Sequence, residues 1–241
     1  MASSTNSSLR LPATVAAWEA EARQYNVAGM SLIQCTNMRS GSDITEEQFL
    51  LFRTIFPRTR KIFTPAIFGL APSYQQAGLL VTNQNFQEYA QRVGAGILGP
   101  GHFAQWTLNT LFKVLLAQQQ QAIAAVYRGR SKLTRRSEAA VNTSLVSFLQ
   151  ALAMLAAPLS GQWNAQGISL EANFGVHGGQ RRAFTAVTDG QYQLVIGNQI
   201  VAFMECKVGP RDRHTPQVEK QETAQVIASI KEYPDAVPRR W

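Results

Sequence analysis

The apolar residues of this chain change their spacing once, and that change limits what it can fold into. Up to Pro158 they recur every third or fourth residue, the period of a helix packed on one side. Phe103, Trp106, Leu111, Leu115 and Ile123 follow this spacing, and a second helical stretch runs from about Ser137 to Ala156. From Ile168 the period drops to two. Ile168, Leu170, Ala172 and Phe174 alternate with Ser169, Glu171 and Asn173, the pattern of a half-buried strand. Residues 183–187 continue as strand, and residues 188–207 read as two strands joined by a tight turn. A last helix is predicted to start at Thr215-Pro216, with threonine as N-cap and proline at the first helical position, and to end near Glu232. The fold class expected is therefore α+β or α/β. A helix–three-strand–helix core spans 128–241, behind a mostly helical, loop-rich region at 14–127 and a disordered tail at 1–13.

Within the N-terminal region, residues 14–24 suit a short amphipathic helix with Val15, Trp18 and Ala22 on one side. Thr45 and Gln48 have the spacing of a capping box before Phe49, Leu50, Phe52 and Ile55, and Pro57 stops that helix. A basic cluster, Arg58, Arg60 and Lys61, precedes the apolar run from Ile62 to Leu70. Residues 71–101 are rich in Gly, Pro, Asn and Gln and read as loops around one helical piece near 85–93.

Composition narrows the partner. Apolar residues make up 45% of the 241, enough for a core, while the net charge is +8 and the pI near 9.9. That balance favours an anionic partner, nucleic acid ahead of an anionic membrane. The two cysteines, Cys35 and Cys206, lie far apart and form no disulfide framework, which points to a reducing compartment. No apolar run approaches the ~18 residues of a membrane span. The Ser/Thr-rich start, MASSTNSSLRLP, lacks the apolar core of a secretory signal. The expected location is intracellular, nuclear or cytoplasmic, and not secreted, with no membrane partner.

The end of the strand pair carries the chemistry. Asp189 opens it, and Glu205 and Lys207 close it two residues apart, so they share a face with Val201 and Phe203. Two carboxylates and an ammonium at the end of an apolar hairpin are costly to place unless something uses them. A hard divalent cation, Mg²⁺ or Mn²⁺, is the obvious user. A surface salt bridge at a strand end is the plainer reading. Register separates the two. A two-residue turn at Gly197-Asn198 sets Asp189 opposite Cys206, on the wrong face. A three-residue loop, Gly197–Gln199, or an equivalent bulge at Gly190, sets Asp189 opposite Lys207 with Glu205 its diagonal neighbour.

Placed in this order of elements, an aspartate opening one strand and Glu205-Cys206-Lys207 ending the next resemble the PD-(D/E)XK nuclease superfamily, the restriction-endonuclease-like fold. The resemblance covers roughly residues 128–232. It implies a metal-dependent nuclease that hydrolyses phosphodiester bonds of DNA, with RNA as the second choice. Asp189 and Glu205 would hold one or two Mg²⁺ ions, and the backbone carbonyl of Cys206 would complete the shell. Lys207 would orient or help deprotonate the attacking water. Gln221, on the last helix, would stand near the site. Glu138 sits on the apolar face of its helix with Val141, Asn142, Leu145 and Leu149, and the family's habit of a glutamate there makes it an auxiliary metal ligand. An exposed helix-start glutamate is the alternative for that position.

One departure matters. The family core has a fourth strand after the glutamine helix, and only Tyr233–Trp241, with two prolines, remains here. Either the last strand is absent, or the N-terminal region covers that edge, or this chain is a shortened form; an uncovered sheet edge would offer a homodimer surface. The departure also leaves room for a second function: a catalytically inactive nuclease-fold protein that binds nucleic acid or a protein partner. Candidate phosphate contacts are Arg128, Arg130, Lys132, Arg135 and Arg136, a run that also has the form of a nuclear-import signal. Arg181, Arg182, Arg211 and Arg213 are further candidates.

Overall fold

The computed structural model describes residues 10–57, 62–95, 112–119, 134–156, 158–207 and 213–234. In chain order they form α1 (Val15–Gln24), a 3-10 turn (Leu32–Gln34), α2 (Glu46–Leu51), a second 3-10 turn (Pro65–Phe68), α3 (Ala71–Leu80) and α4 (Gln84–Gly94). A helical stretch at 112–119 and α5 (Thr134–Ala153) follow. Then come β1 (Gly161–Asn164), β2 (Ser169–His177), β3 (Gln180–Val187), β4 (Gly190–Leu194), β5 (Ile200–Met204) and α6 (Gln217–Glu232). The protein is thus α+β. None of the described helices is long and apolar enough to cross a membrane.

The chain packs as two compact units. One takes 1–62, 168–188 and 210–241; the other takes 63–167 and 189–209. The linear boundary expected near residue 125 lies outside the described residues.

The first unit is built on the antiparallel hairpin β2–β3, with Leu170 opposite Ala186 and Ala172 opposite Phe184. Alternation puts those four side chains on one buried face, and α6 lies on the hairpin. Ala224 and Ala228 of α6 join that core with Ala22 of α1 and Phe49 and Leu50 of α2. Gln225, buried on α6, donates from Nε2 to the Val187 carbonyl at 2.9 Å. Lys220 meets Glu46 at 2.6 Å, an ion pair that ties α6 to α2.

The second unit sets α5 against the three-stranded sheet, order β1-β4-β5, all antiparallel. The Trp163 amide of β1 donates to Gln150 Oε1 of α5 at 2.8 Å. Tyr89, Phe112, Leu115, Leu116 and Ala151 form its apolar core, with Phe86 and Phe148 against them.

Several expectations need correction. The strands do not make one sheet in chain order; they make two, and the switch falls between Thr188 and Asp189. The Thr188 amide donates to the Ile168 carbonyl at 3.0 Å and closes the β2–β3 ladder. The Asp189 amide donates to the Met204 carbonyl at 3.1 Å and opens the next one. β1, which carries only four residues and a glycine, has too short a pattern to announce itself. Residues 71–80, read as loop, form α3. The helix begun at Thr45 ends at Leu51, well before Pro57, because Arg53 turns left-handed with φ 56°. Thr45 does cap it, accepting from the Gln48 amide at 3.2 Å, but the Gln48 side chain bonds Arg39 instead of completing the box. Val15 points to solvent, whereas Ala22 is buried. In the expected tail, residues 1–9 lie outside the described residues, while Pro12 is buried and its carbonyl accepts from the Phe56 amide at 2.7 Å. The last helix starts two residues after Thr215, whose hydroxyl meets Glu219 Oε1 at 3.1 Å instead of capping.

Candidate functional site

The site belongs to the second unit and forms where β4 begins and β5 ends. The ladder pairs Gly190 with Met204, Gln191 with Phe203 and Tyr192 with Ala202, then slips by one so that Gln193 pairs with Ile200. Val201 is the extra residue, a β-bulge. The connection is a four-residue turn, 195–198, closed by the Leu194 amide on the Gln199 carbonyl at 2.9 Å. Gly197 and Asn198 both take left-handed backbone, φ 79° and 51°. Neither the three-residue loop nor a bulge at Gly190 occurs, because the bulge sits at Val201 and the turn is longer. One step beyond Gly190–Met204, this register sets Asp189 directly opposite Glu205, with Lys207 diagonal. The partners differ from those expected, and the shared face is the same.

Side chains then fix the cluster. Asp189 Oδ2 accepts from the Cys206 amide at 2.6 Å. Asn142, on α5, donates from Nδ2 to the Asp189 carbonyl at 2.6 Å, and the Cys206 thiol lies 3.7 Å from Asn142 Oδ1. Lys207 Nζ donates to Glu205 and, at 3.4 Å, to Glu138 Oε1. Glu138 and Asn142 are one helical turn apart, so a single face of α5 meets both strand ends. Gly190 is required beside them, since a Cβ there would lie 2.8 Å from the Asn164 carbonyl oxygen.

Among the described residues, Asp189, Glu205 and Glu138 gather three carboxylates around one ammonium, Lys207. The Glu205 side chain is 1% exposed, which places this ion pair inside the fold and not on its surface. Lys207 is 24% exposed and Glu138 41%. Burial pushes the Cys206 thiol up to about 11, with the Asp189 and Glu205 carboxylates adding to it, so it remains a thiol at neutral pH. Burial acts to lower the Lys207 pKa, but the hydrogen bond and charge of Glu205, then Glu138 and Asp189, outweigh it and hold it above the ordinary lysine value. Lys207 is therefore a firm ammonium.

Of the expected site residues, Glu138, Asp189, Glu205, Cys206 and Lys207 come together. Gln221 belongs to the first unit, in the middle of α6. Among its neighbours in sequence, Gln217 donates to the Ser42 carbonyl at 2.9 Å and Gln225 is buried, so both serve the fold. Arg182 is buried, with Nη1 donating to the Thr36 carbonyl at 3.2 Å, and is no surface phosphate contact. It alternates inward with Phe184 and Ala186. Arg181 is exposed and paired with Glu171. Arg213 is exposed. Arg128, Arg130, Lys132 and Arg211 lie outside the described residues, and Arg135 and Arg136 open α5 with side chains outside them. Asn142 was missed as a site residue, although its place four residues after Glu138 on the same stripe was the available signal.

No protein-family model, curated protein or solved structure matches the chain. Among the described residues no three His, Cys, Asp or Glu side chains are arranged to hold a metal ion by themselves. The donor set is two carboxylates, Asp189 and Glu205, set opposite each other by the register of the ladder. Magnesium accepts such a set, because it keeps several waters and binds through one or two carboxylates.

Proposed function

We propose that this protein is a metal-dependent nuclease of PD-(D/E)XK type that hydrolyses phosphodiester bonds of DNA. The observation that carries the reading is the pairing of Asp189 with a buried Glu205 at one end of a sheet, with Lys207 on the same face. Asp189 and Glu205 would hold Mg²⁺ or Mn²⁺, with the Cys206 carbonyl and water completing its shell. A bound divalent ion supplies Lewis-acid polarisation of the phosphate and a water of lowered pKa.

The chain's own groups do the rest. Lys207, an ammonium beside Glu205, orients the attacking water and offsets charge on the phosphate. Asn142 fixes the Asp189 backbone and so positions that carboxylate. Glu138 draws Lys207 away from an exclusive pairing with Glu205.

The test is cleavage of plasmid and single-stranded DNA with Mg²⁺, with Mn²⁺ and with neither. Divalent-dependent cleavage that Lys207→Ala abolishes is the expected result. Cleavage that survives the substitution would mean the site is misassigned.

A second reading has its own support. Lys207 stands between Glu138 and Glu205, and no three donors converge among the described residues. That arrangement suits a nuclease-fold protein that binds nucleic acid or a protein without cutting. Binding of DNA without cleavage in either metal would establish it.

A further inference from the structure

Among the described residues the proposed site gathers three carboxylates and one ammonium, so without its metal it offers a polyanion little, and further binding energy is sought elsewhere on the molecule. The second unit exposes three aromatic rings together. Phe63, Phe68 and Tyr74 are each more than half exposed. The Phe63 and Phe68 rings lie 5.8 Å apart at 12°, nearly parallel, and Tyr74 sits 5.8 Å from Phe63 at 55°. Their scaffold is a hydrogen-bonded turn. Pro65 begins the 3-10 turn, Gly69 ends it in left-handed backbone, and the Leu70 amide closes it on the Pro65 carbonyl at 2.9 Å. Large rings left in water, on a backbone that holds them ready, need a ligand to account for them.

The charge around this sequence says which ligand. No Asp or Glu occurs between Glu47 and Glu88, while Arg58, Arg60 and Lys61 do. Exposed aromatic faces in a stretch of sequence that is basic and has no carboxylate suit bases and phosphates together. A membrane surface fits less well. Interfacial helices need an apolar face, and in α3 Ala71, Ala77, Leu79 and Leu80 are spread round the helix.

We propose that Phe63, Phe68 and Tyr74 form a base-stacking platform for single-stranded nucleic acid. It deepens the nuclease reading, and rests on it, by naming the substrate's form: bases must be unpaired to reach the rings.

The experiment is fluorescence anisotropy with a labelled oligothymidylate and a duplex of equal length, in EDTA, so that binding is read without cleavage. Tighter binding of the single strand is expected. Phe68→Ala and Tyr74→Ala should each weaken it roughly tenfold or more, the scale of losing one base stack, while Phe68→Trp and Tyr74→Phe keep it. Unchanged affinity in both alanine variants overturns the proposal. So does a wild type that binds anionic phosphatidylserine vesicles but no oligonucleotide, or alanine variants that change only self-association. Because Phe68→Trp retains a ring, loss of binding in it alongside an unchanged melting temperature would also count against stacking. Failure of cleavage with single-strand binding intact would sink the nuclease reading alone.

Discussion

Lys207 faces two carboxylates that differ in everything except charge. Glu205 is buried and in direct contact, whereas Glu138 is 41% exposed and 3.4 Å away. Removing the cation therefore takes a direct contact from a buried charge in one case and a longer one from a solvated charge in the other. Lys207→Met should cost on the order of 3 kcal/mol, because the buried Glu205 loses the ammonium it touches. Glu138→Gln should cost well under about 1 kcal/mol, the range of exposed pairs. Chemical denaturation of both variants checks this, and equal effects would contradict the assigned geometry. The pH dependence follows from the same pair. The folded-state pKa of Lys207 is raised above 10.5, so its contribution is fully present below that value. It is lost as pH rises through the folded-state value, once the folded protein also gives up the proton. The wild-type advantage over Lys207→Met should accordingly hold at neutral pH and shrink only in strong alkali.

At the scale of elements, the hairpin β4–β5 shows what the residue pattern can and cannot settle. That Asp189, Glu205 and Lys207 share a face is legible, because a two-residue side-chain period survives any even change of register. The pairing itself is not. Gly197-Asn198 looks like a complete two-residue turn and does take left-handed backbone, yet it is only half of a four-residue turn. The bulge at Val201 leaves no mark in composition, since it sits in an unbroken apolar run. The split into two sheets is equally silent, because Thr188 and Asp189 look like one continuous strand and differ only in which carbonyl each amide finds. The hairpin β2–β3 was readable because it buries one clean face, whereas α6 was read from Thr215-Pro216 and buries Glu219, Lys220 and Gln225 beside its alanines. By contrast α3 has no buried residue at all, so no periodicity could announce it. Arg182 misled for the opposite reason: a charge at an inward position of a strand reads as solvent-facing. Gly190 is where the element and the site meet. A methyl group there would be driven against the backbone of β1 at Asn164 and against Met204 at 3.3 Å. Gly190→Ala should therefore destabilise by about 1–3 kcal/mol, as overpacking does, and the loss should appear in denaturant midpoint without a change in slope.

For the whole molecule, the question is whether an acidic cluster inside a chain of net charge +8 is a fastening or a binding site, and stability measured with and without metal answers it. The three carboxylates among the described residues lie closer together in the folded state than in the unfolded chain and repel one another there, while Lys207 attracts all three. Asp189→Asn removes one of the negative charges while its amide oxygen can still accept from the Cys206 amide. Without divalent cation, that variant should be as stable as the wild type or more so. A cation that binds only the folded state adds RT ln(1 + [L]/Kd), about 2.7 kcal/mol at a hundredfold excess over Kd. In a chain of this length that corresponds to a rise on the order of 5 °C in melting temperature. Wild type should show this rise with Mn²⁺ and Asp189→Asn should not, so the order of the two proteins reverses when the metal is added. If instead Asp189→Asn is the less stable at every metal concentration, Asp189 holds the strand ends together through its hydrogen bonds and the cluster is structural. The reversal is diagnostic because the two roles demand opposite signs from the same substitution under metal-free conditions.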